Sequence, residues 1–129
     1  MEDGDIMARK ASRKTLKRNA DKLFSAYIRS KGFCEWCGKS DDTLQCSHIF
    51  SRRFLVTRWL PINANCLCAG CHFKWHQKPI EAVEWIKEYL GEDVYDELRR
   101  VAKQSVEKQD FKQIVDDLKN KKGKYSDWK

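Results

Sequence analysis

Apolar residues recur at helical spacing near the start of the chain. Leu16, Ala20, Leu23, Phe24, Tyr27 and Ile28 fall three and four apart and draw one stripe along residues 12–31, which predicts a helix. Gly32 supplies its stop. The pattern then becomes short-range. Lys39-Ser40-Asp41-Asp42 reads as a turn, Thr43 to Phe50 as a strand, Ser51 to Ala64 as a long connection and Asn65 to Cys68 as a second strand. Cys71 to Gln77 starts a short helix that Pro79 terminates, because the ring disfavours helical geometry in the residue before it. Pro79 also suits the first turn of a following helix, which runs to Leu90 with Ile80, Val83, Ile86 and Leu90 inward and Gly91 at its end. Asp93 to Lys108 reads as another helix with Val94, Leu98 and Val101 apolar, and Asp110 can cap a last one through Leu118.

These elements predict a mostly helical α+β protein. One domain is expected over residues 12–118, with a core at about 33–78 and C-terminal helices at 79–118, between a disordered tail (1–11) and a basic tail (119–129). With 35% charged residues and a mean hydropathy of −0.75, apolar material is modest, so a metal staple fits the composition. The formal charge of +7 and a pI near 9.1 favour a polyanionic partner. Arg9, Lys10, Arg13, Lys14, Lys17, Arg18 and Lys22 concentrate that charge on the flank and outer face of the first helix. No apolar run reaches the length of a membrane span, and MEDGDIMARK contains no apolar signal core, so no membrane partner and a cytoplasmic, reducing location are expected. There, paired cysteines bind metal rather than form disulfides.

Cys34-Glu35-Trp36-Cys37 and Cys68-Ala69-Gly70-Cys71 are such pairs. Each short turn presents two sulfurs to one edge of a tetrahedron, which reads as a four-thiolate structural zinc site. His72 and His76 stand four apart, a helical spacing that puts both imidazoles on one face, about 6 Å apart at Cβ, and lets them share one metal. A zinc protease would need glutamate where Phe73 stands. A nucleobase deaminase would need an acid two residues after His48, where Phe50 stands, and a proline before Cys68. His48 closes the first predicted strand; a histidine there alone is more often structural, but the cysteine frame would fold its strand against the His72/His76 helix. Cys46 and Cys66 read as small buried hydrophobes, the alternative being that one replaces a knuckle cysteine as ligand.

Taken together, Cys34-x-x-Cys37, Gln45-Cys46-Ser47-His48-Ile49, Asn63 and Cys68-x-x-Cys71-His72-x3-His76 resemble the HNH (ββα-metal) nucleases. The pattern is similar to phage forms of the Rap/NinG recombination-endonuclease type over roughly residues 20–90, including Lys22 to Arg29, Ser47 to Arg53 and Thr57-Arg58-Trp59. The resemblance implies a zinc-stapled ββα-metal core flanked by helices and a metal-dependent endonuclease that hydrolyses DNA phosphodiester bonds. It makes His48 the general base, Asn63 the brace of the loop that orients it (Asn65 if the register shifts by two), and His72 and His76 ligands of a catalytic divalent ion. Cys34, Cys37, Cys68 and Cys71 match the structural zinc ligands. Imidazole-rich ligation leans toward Mn²⁺, Co²⁺, Ni²⁺ or Zn²⁺ over Mg²⁺. Arg52, Arg53 and Arg58 would face the scissile phosphate. Many members carry a further ligand just before the base, where this chain has Ser47. The implied partner is DNA, with a homodimer or phage packaging or recombination proteins beyond it. The other reading is a zinc-binding DNA-binding or packaging accessory protein with a decayed nuclease site.

Overall fold

The structure, a computed structural model, describes residues 11–106 and 108–121. Within them the first apolar stripe forms α1 (Arg13–Arg29), started by Ser12, whose hydroxyl accepts the Thr15 amide at 3.1 Å. Ala20, Phe24, Tyr27 and Ile28 are buried, and Leu16 and Leu23 pack beside them, as the spacing requires. Gly32 then turns the chain with a φ of +82°, a conformation that glycine adopts without steric cost.

β1 (Gln45–His48) and β2 (Ala64–Leu67) pair antiparallel, with Gln45 opposite Leu67, Cys46 opposite Cys66, Ser47 opposite Asn65 and His48 opposite Ala64. β1 is shorter than the strand expected over Thr43–Phe50, because side chains take the backbone groups at both ends. Asp41 accepts the amide and hydroxyl of Thr43 at 2.8 and 2.7 Å. Asn63 takes the amide and the carbonyl of Phe50, each at 2.9 Å. A 3-10 turn (Pro61–Asn63) leads into β2. α2 (Ala69–Gln77) follows directly and starts before Cys71, because Cys68 acts as its N-cap with Sγ facing the Cys71 amide.

α3 has the expected bounds (Pro79–Leu90), but its inner face is rotated. Ala82 and Ile86 are buried while Ile80 is 77% exposed. The aromatic contacts select that face: Trp85 stacks on Trp36 with centroids 4.7 Å apart, and the Tyr89 hydroxyl donates to Glu35 at 2.7 Å. α4 (Glu92–Ala102) stops well before Lys108. Beyond Ala102 the only apolar side chain before Phe111 is Val106, itself exposed, so further turns would bury nothing. Val94 is likewise exposed, and Leu98 and Ala102 carry the burial. α5 (Phe111–Lys121) starts on Asp110, whose carboxylate accepts the Gln113 amide at 3.0 Å, and continues past Leu118.

The architecture is therefore mostly helical with one small antiparallel sheet. The main core lies between α1, the sheet and α5, where Phe24, Tyr27, Ile28 and Cys66 meet Phe111, Val115 and Leu118. A second, smaller core gathers Cys34, Leu67 and Cys68 with Trp36, Trp75 and Trp85. Arg9, Lys10, Tyr125 and Trp128 lie outside the described residues. Among the described residues no helix is long and apolar enough to cross a membrane.

A buried carboxylate joins the two cores. Glu35 Oε1 accepts from Lys31 Nζ at 2.8 Å, the Cys66 amide at 2.7 Å and Asn65 Nδ2 at 3.3 Å, and Oε2 accepts from Tyr89. The Lys31 and Glu35 side chains are only 3% and 2% exposed. Removing one partner of such a pair strands a desolvated charge, which typically costs about 3–5 kcal/mol. Glu35→Ala should therefore lower stability by about that amount in denaturant unfolding. Lys112→Ala, which removes an exposed pair with Asp116, should barely move the midpoint.

Candidate active site and metal centre

Two turns of the same kind bring four sulfurs together. The Cys37 amide points at Cys34 Sγ and the Cys71 amide at Cys68 Sγ, each at 3.5 Å, and Gly38, with φ of +83°, completes the first turn. The sulfurs of Cys34, Cys37, Cys68 and Cys71 all lie within 4.8 Å of one another, and those of Cys37 and Cys68 are 3.8 Å apart. Sulfurs at about 2.3 Å from a tetrahedral zinc are about 3.8 Å from each other. The cluster could thus hold a structural metal such as zinc. Its proton chemistry agrees. Burial opposes ionisation of Cys34, but amides of Cys37, Cys68 and Trp36 outweigh it and bring the thiol to about 7. Burial and the neighbouring sulfurs push Cys71 well up. Four crowded thiols cannot all ionise without a cation among them. Cys46 and Cys66 stand outside the cluster, and burial pushes their thiols up to about 12 and about 11, so both behave as small apolar side chains.

The three histidines meet at one cleft of about 600 Å³. Asp21 and Ser25 line it from α1, His48 from the end of β1, Arg52 from the following loop, and His72 and His76 from α2. The His72 and His76 rings approach through Nε2 at 3.3 Å, and His72 Nδ1 lies 2.5 Å from Gln45 Oε1. His48 packs on Phe24 with centroids 5.5 Å apart. Its Nε2–H donates to the Arg58 carbonyl at 2.9 Å, which leaves the neutral ring with a bare Nδ1. Burial, first among the causes, lowers the His48 pKa below the ordinary imidazole value and favours that neutral ring.

Asn63 holds the acceptor loop in place. It is fully buried; Oδ1 accepts the Phe50 amide, and Nδ2 donates to the Phe50 carbonyl at 2.9 Å and the Thr57 carbonyl at 3.1 Å. Thr57 precedes the residue whose carbonyl orients His48. Asn65 instead donates to Glu35, so of the two asparagines it is Asn63 that braces the loop. Ser47 is 2% exposed and lies opposite Asn65.

The arginines separate into two groups. The Arg58 guanidinium grips both Asp21 oxygens, at 3.0 and 2.6 Å, and donates to the Arg52 carbonyl at 3.0 Å. It was expected to face a phosphate, but with its side chain 13% exposed it serves to anchor the loop on α1. Burial raises the Asp21 pKa, yet Arg58, Trp59 Nε1–H and Arg52 outweigh it and hold the carboxylate below its usual range. Arg52 also lies 3.6 Å from Asp21 but is 60% exposed, and Arg53 is exposed with its guanidinium over Phe54, so both present charge to solvent as Arg58 does not.

Glu35, Asp21 and Gln45 are the polar residues that pattern reading passed over. Asp21 was detectable as the single acid in a basic stretch. Glu35 is one of the two spacer positions of the first cysteine turn, where sequence carries no requirement. Gln45 lies on a strand next to Cys46 and its tertiary partner is distant in the chain.

Cys37→Ser or Cys68→Ser should lose bound zinc and much of the cooperative melt, because binding energy at a structural site is folding energy. His72→Ala and His76→Ala should keep that zinc and native circular dichroism. Full zinc content with a native melt in a cysteine variant would show a different ligand set. No protein-family model, curated protein or solved structure matches this chain.

Proposed function

We propose that the protein is a metal-dependent endonuclease of the HNH type that hydrolyses phosphodiester bonds in DNA. One observation carries the reading: a half-buried histidine with one nitrogen tied to a backbone carbonyl and the other bare shares a cleft with two imidazoles that converge on one point. That is the arrangement that water activation beside a divalent ion requires.

In this reading His48 Nδ1 removes the proton from a water that attacks the phosphorus in line. The Arg58 carbonyl keeps the imidazole in the productive tautomer, and Asn63 keeps that carbonyl in place through Thr57 and Phe50. His72 and His76 would hold the ion, which when bound polarises the phosphate and stabilises the leaving 3′ oxygen. Arg52 and Arg53 supply positive charge at the cleft mouth, and the exposed residues Arg13, Lys14, Arg18 and Lys22 of α1 offer backbone-phosphate contacts that do not depend on base sequence. Cleavage would leave 5′-phosphate and 3′-hydroxyl ends.

A second reading, a zinc-stapled DNA-binding or packaging accessory protein, is favoured by one observation. Ser47 is buried where the family often places a further ligand, so the ion would have only two imidazoles from this chain.

Nicking of supercoiled plasmid with added Mn²⁺, Co²⁺ or Ni²⁺ separates the two readings. His48→Ala should slow cleavage about 10²–10⁴-fold while leaving the fold and DNA affinity intact. A wild-type protein that binds DNA but leaves it uncut with every one of these metals would overturn the nuclease reading. The double variant Arg52→Ala/Arg53→Ala should weaken binding and flatten the log–log salt dependence by about two units at most, since each duplex phosphate contact contributes about 0.9. An unchanged slope would move the DNA contact to the basic face of α1.

A further inference from the structure

The inference concerns Gln45 and rests on the reading of His72 and His76 as ligands of the catalytic ion. Two nitrogens each about 2.0–2.1 Å from a tetrahedral ion are about 3.3 Å apart. The Nε2 atoms of His72 and His76 are separated by 3.3 Å, so the pair is already spaced for one ion. The other ring nitrogen of His72, Nδ1, lies 2.5 Å from Gln45 Oε1. An amide oxygen can only accept, so Nδ1 carries the proton and the neutral ring presents Nε2 as a bare lone pair. We propose that Gln45 is a positioning residue of this metal site, whose side-chain carbonyl locks His72 in the Nδ1–H tautomer and aims Nε2 at the ion.

The backbone holds the two partners at fixed distance. Gln45 opens β1 opposite Leu67, and two residues earlier the Thr43 hydroxyl accepts the amide of Ala69, the first residue of α2, at 3.1 Å. Cys68, the cap of α2, belongs to the sulfur cluster, and its carbonyl accepts the His72 amide at 2.8 Å. Strand entry and helix start are thus tied to each other, and His72 lies one turn into the helix. Without a partner on Nδ1 an imidazole exchanges its proton between both nitrogens and turns about its side-chain bonds, and both freedoms must be lost on binding an ion. Glutamine removes them in advance. Being neutral, it does so without the added charge that a carboxylate would bring, which leaves the ion weakly held beside a tight cysteine site.

The test uses the full chain with its cysteine site filled with zinc, and nickel(II) as the probe, since imidazole ligands suit that ion. Gln45→Leu should raise the calorimetric Kd for nickel about 10–100-fold, the usual loss when the outer partner of a metal-bound histidine is removed. Gln45→Glu, which retains an acceptor, should bind nickel at least as tightly as the wild type. Nitrogen-15 spectra of the nickel-free protein should show His72 as the Nδ1–H tautomer, and a mixture of tautomers in Gln45→Leu. Zinc content and melting temperature should match across all three proteins, which separates positioning from a structural defect. If Gln45→Leu binds nickel as the wild type does, while His72→Ala loses it, the role of Gln45 is overturned and the ligand reading stands. If His72→Ala and His76→Ala both leave nickel binding unchanged, the ligand reading itself is overturned and this inference with it.

Discussion

The four-sulfur cluster is the constraint on which the rest of the site depends. It joins two turns through sulfurs such as those of Cys37 and Cys68, which are 31 residues apart in the chain, and the sheet with its connecting loop lies between them. The smaller core has little else to hold it: Cys34, Leu67 and Cys68 are its buried members, with three tryptophans packed around them. Closing such a loop costs conformational entropy, and a bound metal offsets that cost without a large apolar interior. The cluster also sets the origin of α2. Cys68 is at once a member of the cluster and the helix cap, so the positions of His72 and His76 follow from the geometry of the sulfurs.

Three buried or half-buried polar side chains extend that frame. Glu35 binds the first cysteine turn to β2, to Lys31 just past the end of α1, and to α3. Asn63 bonds both sides of the loop after β1. Asp21 ties α1 to the same loop through Arg58 and Trp59. Each makes three or more hydrogen bonds, and in a low-dielectric setting a satisfied network of this kind rigidifies while a partly satisfied one destabilises. The cleft between α1, β1 and α2 is thereby built from both sides, and His48 inherits its orientation from a carbonyl that Asn63 and Asp21 jointly immobilise.

Charge is distributed to match. Burial lowers the pKa of His48, and burial together with the neighbouring His76 lowers that of His72. Positive charge sits on Arg52, which lines the cleft, on the neighbouring Arg53, and along the exposed side of α1. In the proposed reading, an anionic polymer would meet these cations first.

The helical periods of α1 and α3, the two cysteine turns and the i, i+4 histidine pair were legible in the sequence because each depends on neighbours within one or two turns of chain. The bounds of α3, the stop at Gly32 and the cap at Asp110 are of the same kind. The ends of β1, the early stop of α4 and the rotated face of α3 were not, since side-chain bonding and packing decided them: Asp41 takes Thr43, Asn63 takes Phe50, no surface remains to bury after Ala102, and Trp36 stacks on Trp85. Arg58 shows the difference most plainly. Its place in the loop between the strands suggested a phosphate ligand, but Asp21, 37 residues away, captures its guanidinium, and its backbone carbonyl reaches His48. Local spacing specifies which groups can lie on one face. Only the packed structure specifies which partner takes each donor, because a buried polar group must be satisfied by whatever the fold brings within about 3 Å of it.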